Sequence, residues 1–410
     1  MALFIQISFI VLLVTTSISD RFLSPFGLQL CDFPDTGRGV QTKRHRTQRE
    51  ILLEVPLRDT ITSTSLFREI PQLDTHQFSD QQRLALGLVR KVTSRRKGGN
   101  TIEDAYIASL PRTHASLLTM PDQIWDNCQS FVPRSYRDSM LATRQWGIDL
   151  VKTVAQDHRE LFDQNNPSHL KEDILWACSM VRSRSIAVPE LATDCDEIPH
   201  ALIPGLDQFN HKFGVSSKLE LVSISSNEQH WKLLSESPYQ KDDQVWLSYG
   251  EDKDNWKLLV TYGFCTKDNP NRLVFWDLQD LLHAASTVRP QIFGPRIIHQ
   301  ILSNPQLAIY TQQSENRSIF SWDAATRTPR PSLQGGLNLL SNVASQLSQL
   351  HDHDLQTDVV DFLLESRRKD LDQCLVQLSN YQKDVTNDWL PFVQSLRLVM
   401  EQESKFVEGP

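Results

Sequence analysis

The chain is short of basic charge. Its 42 lysine and arginine residues stand against 50 aspartate and glutamate, giving a formal net charge of -8 and a pI near 5.8. General nucleic-acid binding leaves a basic footprint, so a direct nucleic-acid partner is not expected. The local exceptions, Lys43-Arg44-His45-Arg46 and Arg95-Arg96-Lys97, read as solvated loops. The six cysteines (Cys31, Cys128, Cys178, Cys195, Cys265, Cys374) form no C-x-x-C and no Cys/His pair at zinc spacing. No metal is expected, and scattered thiols suit a reducing intracellular compartment such as cytosol, nucleus or organelle. "HDHD" at 351 to 354 lacks further ligands nearby and reads as a polar turn between helices. No G-x-G-x-x-G follows a strand-like run, which sets aside a dinucleotide-binding βαβ fold. Beyond residue 20 no apolar run approaches membrane-spanning length, so no stable membrane span is expected there.

At 410 residues, 40% hydrophobic and 22% charged, the chain can bury at least one sizeable core. Its first 20 residues form a separate segment: an apolar stretch from Leu3 to Val14 followed by small residues, without the positive flank of a standard secretory signal. A removable targeting segment, a mis-assigned start and a buried strand all remain open.

Residues 37 to 56, "GRGVQTKRHRTQREILLEVP", alternate a glycine turn, a short strand, a basic loop and a second apolar strand, a pattern that reads as a β-hairpin or two neighbouring strands. Helical spacing takes over from about 79 to 188, in "DQQRLALGLVRKV", "SMLATRQWGIDLVKTVAQDH" and "LKEDILWACSMVRSRS". Strand signals return in "KLELVSISS", "HWKLLSE" and "DQVWLSYG". After residue 269 the chain is helical again, with Leu337, Leu340, Val343, Leu347 and Leu350 on one face and a long amphipathic helix over 358 to 385. "TRTPRPSLQGG", 326 to 336, reads as a loop. The expected class is α+β: a β-rich domain over 25 to 265 with a helical insertion, then an all-helical lobe over 270 to 410.

Chemistry-bearing residues gather late in the β-rich part. "LIPGLDQFNHKFG" ends an apolar run with Asp207, Asn210 and His211. "VRSRSIAVP" places Arg184 upstream, and "DQVWLSYGEDKDNWKLLVTYGF" carries Tyr249 and Tyr262 downstream. With the Gly-Arg-Gly opening at 37 to 39 and "AYIASLP" at 105 to 111, these pieces, in this order, resemble the SET-domain methyltransferases of the Rubisco large-subunit methyltransferase type. The likeness runs from Gly37 to Phe264. The helical lobe is similar to that family's substrate-binding domain only in composition and position.

The resemblance implies an S-adenosylmethionine-dependent protein-lysine N-methyltransferase, with histidine as an alternative acceptor and a non-catalytic protein-binding module as the reading from another class. It implies a protein substrate, a monomer, and S-adenosylmethionine as co-substrate without a metal. Arg38, Gly39 and Val40 would approach the donor with backbone atoms. Arg184 would hold the donor's carboxylate, and Asn210, His211, Tyr262, Gly263 and Phe264 would line its pocket. Tyr249 would be the catalytic tyrosine beside the transferring methyl. Asp207, Tyr249 and Tyr262 would face the acceptor, Asp207 serving equally as a turn cap. Three departures stand out: no further tunnel tyrosine after His211, Gln208 where an apolar residue is usual, and Thr261 before Tyr262. The zinc cluster that follows many histone-directed SET domains is also missing.

Overall fold

A computed structural model of the chain describes residues 21–408 apart from 68–69, 71–76, 95–100, 113–115, 133, 163–166, 193–196, 272, 277, 303–319, 324–327, 330–333, 335, 339, 343–354 and 382–388. The N-terminal apolar stretch, Arg95-Arg96-Lys97, "HDHD" and most of 326 to 336 lie outside the described residues. Two compact units divide the chain: Met1–His114 with Arg144–Glu251, and Ala115–Thr143 with Asp252–Pro410.

Three small sheets build the first unit. Strands β1 (Leu28–Phe33) and β2 (Gly37–Thr42) pair antiparallel around a tight turn, Phe33 opposite Gly37. The other edge of β2 takes β10 (Gln244–Leu247), and β10 in turn pairs in parallel with the two-residue β7 (Asn210–His211). The sheet order is therefore β1-β2-β10-β7. Strand β3 (Ile51–Pro56) joins β9 (Glu228–Ser235) and β8 (Ser217–Ser225) in a second sheet. Trp231, Leu233 and Ser235 are buried at alternate positions of β9, the period-two signature of a sheet with one covered face. Residues 37 to 56 are thus no hairpin. Both edges of β2 are occupied, by β1 and β10, and β3 finds its partner elsewhere. The third sheet sets β6 (His200–Leu202) between β4 (Ile61–Thr62) and β5 (Ile186–Ala187).

Helices α1 (Ser63–Phe67), α2 (Asp80–Ser94), α3 (Ile102–Ser109) and α6 (Pro167–Arg184) also belong to this unit. A Cβ on Gly87 of α2 would sit 2.3 Å from Leu66 Cβ, so glycine permits the close approach of α1. Helix α3 starts in a reciprocal capping box, Thr101 accepting from the Asp104 backbone and Asp104 from the Thr101 backbone.

The second unit is mainly helical: α4 (Asp122–Phe131), α7 (Asn255–Tyr262), α8 (Leu278–Val288), α9 (Pro295–Leu302), α10 (Leu355–Tyr381) and α11 (Leu390–Glu408), with α5 (Arg134–Asp157) running through both segments' boundary. The lobe after residue 270 carries in addition a three-stranded antiparallel sheet, β11 (Leu273–Trp276), β12 (Phe320–Asp323) and β13 (Thr328–Pro329). Leu337 and Leu340 are buried as their spacing requires. One apolar cluster includes Trp125, Phe131, Trp256, Leu371, Leu396 and Met400. Inside it lies a charged pair: Arg367 Nε donates to Glu403 Oε1 at 2.8 Å, and Trp256 Nε1 donates to Glu403 Oε2 at 2.8 Å. Tyr136 stacks on Trp256 at 4.3 Å, with Arg367 over its ring.

Candidate active site

The site grows from the end of β6. After Leu202 the chain passes Gly205, whose φ of 88° favours glycine, into the single turn Leu206–Gln208, and then into β7. That turn aims Asp207 at the last residue of α6. Arg184 Nη1 donates to Asp207 Oδ2 at 2.8 Å and to the Asp207 carbonyl at 3.3 Å. The Asp207 side chain is 2% exposed and that of Arg184 20%. Burial alone would depress Arg184. The charge of Asp207 and its hydrogen bond more than offset it, so the guanidinium is held above its ordinary pKa and stays charged.

Strand β7 presents Asn210 and His211. Asn210 Nδ2 donates to the Arg38 carbonyl at 3.1 Å and the Thr36 carbonyl at 3.4 Å, tying the turn to the glycine-containing strand β2. At Gly39 a Cβ would meet Gln244 Nε2 at 2.6 Å and Asn210 Nδ2 at 2.7 Å, so only glycine lets the Asn210 amide lie against this backbone. Val40 is fully buried. His211 is also buried, and its Nδ1 accepts the Tyr249 backbone N–H at 3.0 Å. An accepting Nδ1 in a neutral imidazole puts the proton on Nε2. The His211 and Tyr249 rings stack at 5.2 Å, while Phe213 meets His211 edge-on at 4.3 Å. The Tyr249 hydroxyl donates to the Phe209 carbonyl at 2.8 Å.

Of the residues expected from sequence, Arg38, Gly39, Val40, Arg184, Asp207, Asn210, His211 and Tyr249 therefore come together in the first unit. Arg184 is engaged by Asp207, a partner the sequence did not disclose. Tyr262, Gly263 and Phe264 belong to the second unit, at the end of α7. Gly263 caps the helix in the left-handed region at φ 81°, and the Tyr262 and Phe264 rings lie 6.0 Å apart. The residues that sequence reasoning missed as site members are Thr36, Gln244 and Tyr106. Tyr106 is completely buried and lies in the field of Asp207 and Arg184. Its only signal was a place in "AYIASLP", where a tyrosine at helical spacing reads equally as core.

Among the described residues no group of three or more His, Cys, Asp or Glu side chains could hold a metal, and no helix is long and apolar enough to cross a membrane. The five described cysteines are free thiols, and burial pushes Cys265 up to about 11 and Cys128 up to about 12.

No family model matches the chain. It is 25% identical over 272 residues to SET domain-containing protein 4 of Artemia parthenogenetica, covering 63% of each chain. It is 24% identical over 221 residues to the ribosomal lysine N-methyltransferase set10 of Schizosaccharomyces pombe, 54% of this chain and 38% of that one. The chain thus spans less than two thirds of the length of these curated relatives. Among solved structures it is similar to Rubisco LSMT bound to AdoMet, with a TM-score of 0.61, 16% identity, and coverage of 97% of this chain and 91% of that one. The chain has the fold of Rubisco LSMT and resembles SET-domain proteins of that type in sequence.

Proposed function

We propose that the protein is an S-adenosylmethionine-dependent protein-lysine N-methyltransferase. One observation carries the reading: the Tyr249 phenol is fixed at the Asn210-His211 strand, stacked on the imidazole and hydrogen-bonded to the Phe209 carbonyl. The likeness to a ribosomal lysine N-methyltransferase and to a structure holding AdoMet supports it.

The residues present fit such a donor. Gly39 lets the Asn210 amide lie against the β2 backbone, the Asn210-His211 strand is locked in register, and Arg184 keeps a buried Nε with no hydrogen-bond partner. When bound, the sulfonium supplies an electrophilic methyl group, and displacement on it is largely a matter of positioning. The chain's own task is to present a neutral amine. A lysine with a pKa of about 10.4 costs roughly 4 to 5 kcal/mol to deprotonate at pH 7, and removal from water lowers that cost by disfavouring the ammonium. The Phe213 ring, edge-on to His211, supplies apolar surface beside it. The Tyr249 hydroxyl, held by a carbonyl acceptor, orients the amine through its remaining lone pair. The assignment of Tyr262, Gly263 and Phe264 to the donor pocket rests on the sequence resemblance alone.

Titration calorimetry with S-adenosylmethionine, then transfer of labelled methyl to proteins of a whole-cell extract, tests the reading. Saturable binding and a labelled protein bearing methyl-lysine by mass spectrometry are expected. Binding without transfer to any protein turns the chain into a non-catalytic module, and label on imidazole moves the acceptor to histidine.

A further inference from the structure

Tyr249 is held at its hydroxyl by the Phe209 carbonyl and at its backbone N–H by His211 Nδ1. A third hold acts on its chain neighbours and leads to a residue outside the chemistry above. Ser248 Oγ accepts the Gly250 N–H at 3.4 Å and donates to Glu251 Oε1 at 2.6 Å, which closes residues 248–251 on themselves. The other oxygen of the same carboxylate, Glu251 Oε2, accepts the Gly214 N–H at 3.2 Å. Gly214 follows Phe213, whose ring meets His211 edge-on. One carboxylate thus joins the loop that carries Tyr249 to the loop that carries Phe213, across 37 positions of sequence. Its charge strengthens both contacts, since an ionised acceptor holds an N–H or O–H about twice as strongly as a neutral one.

We propose that Glu251 is a positioning residue for methyl transfer. It fixes the bearing of Tyr249 relative to the His211 and Phe213 rings, and so acts through the phenol rather than on the substrate. The role in transfer rests on the methyltransferase reading of Tyr249; the clasp itself rests on the two hydrogen bonds. A displacement governed by positioning tolerates little drift of the group that orients the amine. Glu251 is exposed, so replacing it strands no buried charge and the fold survives the change. The chemistry of the clasp also separates two substitutions. Ser248 can accept as well as donate, so a glutamine keeps both arms, Oε1 taking the Gly214 N–H and Nε2 donating to Ser248 Oγ. Alanine keeps neither.

The test uses the full chain and the variants Glu251→Ala, Glu251→Gln, Tyr249→Phe and Glu251→Ala combined with Tyr249→Phe. Hydrogen exchange at the Gly214 amide reads the clasp without reference to activity. Exchange about tenfold faster is expected in Glu251→Ala, with near wild-type protection in Glu251→Gln. Unchanged exchange in Glu251→Ala overturns the clasp. Transfer of labelled methyl to whole-cell extract at saturating S-adenosylmethionine should fall about tenfold in Glu251→Ala and stay within about threefold of wild type in Glu251→Gln. Donor affinity by calorimetry should remain within about twofold throughout. In the Tyr249→Phe background Glu251→Ala should cost nothing further, because a residue that acts through the phenol has nothing left to position. Undiminished transfer in Glu251→Ala, a loss of donor affinity that matches the loss of rate, or full additivity with Tyr249→Phe each overturns the positioning role. Wild-type protein that labels no protein overturns the methyltransferase reading and the positioning role together, and is distinguished by being seen before any substitution is made.

Discussion

The two units each bury an arginine–carboxylate pair, and the pairs are finished differently. In the second unit Glu403 spends both oxygens on protein donors, Arg367 and the Trp256 indole, under a stacked Tyr136. In the first unit Arg184 and Asp207 meet at the same 2.8 Å, yet Arg184 Nε has no hydrogen-bond partner. A buried ion pair offsets its desolvation only when its remaining hydrogen-bonding capacity is met. The lobe pair satisfies that condition internally and serves as a fastening. The pair of the first unit leaves buried capacity over, which a fastening avoids.

Breaking the fastening gives the largest effect. Glu403→Gln leaves the Arg367 charge buried without its counter-charge, and the expected loss of stability is about 3 to 5 kcal/mol, read as a fall in the urea midpoint. A loss below about 1 kcal/mol, the range of exposed pairs, would mean that water reaches Arg367 and would erase the contrast. Tyr249→Phe should do the reverse. It removes one hydrogen bond to the Phe209 carbonyl, worth about 1 kcal/mol of stability, while methyl transfer falls by about 100-fold. Transfer within a few fold of wild type would remove Tyr249 from the chemistry. Gly39→Ala comes next: the new Cβ must displace the amides of Asn210 and Gln244. A weakening of donor binding by about tenfold is expected by calorimetry, roughly the worth of one displaced polar contact. Unchanged affinity would show that this strand does not meet the donor.

How far these contrasts were legible in sequence depends on the range of the interaction. Asn210, His211 and Tyr249 were recognisable because their motifs are local, and β7 and β10 bring the motifs into register as Trp246 opposite Asn210 and Leu247 opposite His211. The need for glycine at 39 could be anticipated, but the amides that enforce it come from positions 210 and 244. Strand pairing was less legible. β2 and β3 are close in sequence and alternate correctly, yet periodicity states which face is covered and is silent on which strand sits alongside. The short β11 and β12, "LVFW" and "FSWD", are not legible within the helical lobe because segments of four residues are too short for periodicity to separate strand from helix. Residues 115–143 read as part of the insertion and fold with the second unit, since an amphipathic helix declares a covered face without naming what covers it. The unpartnered Nε of Arg184 was invisible for the same reason: satisfaction of a polar atom is a property of neighbours.

The smallest effect belongs to a third charged cluster, which lies between the two extremes because solvent reaches it. His230 on β9 contacts Glu54 Oε1 through Nδ1 at 2.8 Å and Glu228 Oε1 through Nε2 at 3.1 Å. Burial works against its protonation, but the hydrogen bonds to Glu228 and Glu54 prevail and raise its pKa above the ordinary histidine value. A raised histidine contributes stability that is fully present below the unfolded-state pKa and disappears as pH rises through the folded-state one. Glu228, lowered first by its hydrogen bond from His230, needs its charge for the same contact, and its share is lost as pH falls through its own folded value. The cluster is therefore strongest in mildly acidic solution, between those two titrations. The difference in urea midpoint between wild type and His230→Gln should be largest near pH 6, shrink toward pH 8 and diminish further in salt, which screens exposed charges. A difference that is flat with pH would mean the imidazole does not titrate between its two glutamates. Glu403→Gln, measured over the same range, should show no such salt dependence, because the Arg367–Glu403 pair is sealed from the ions that screen His230.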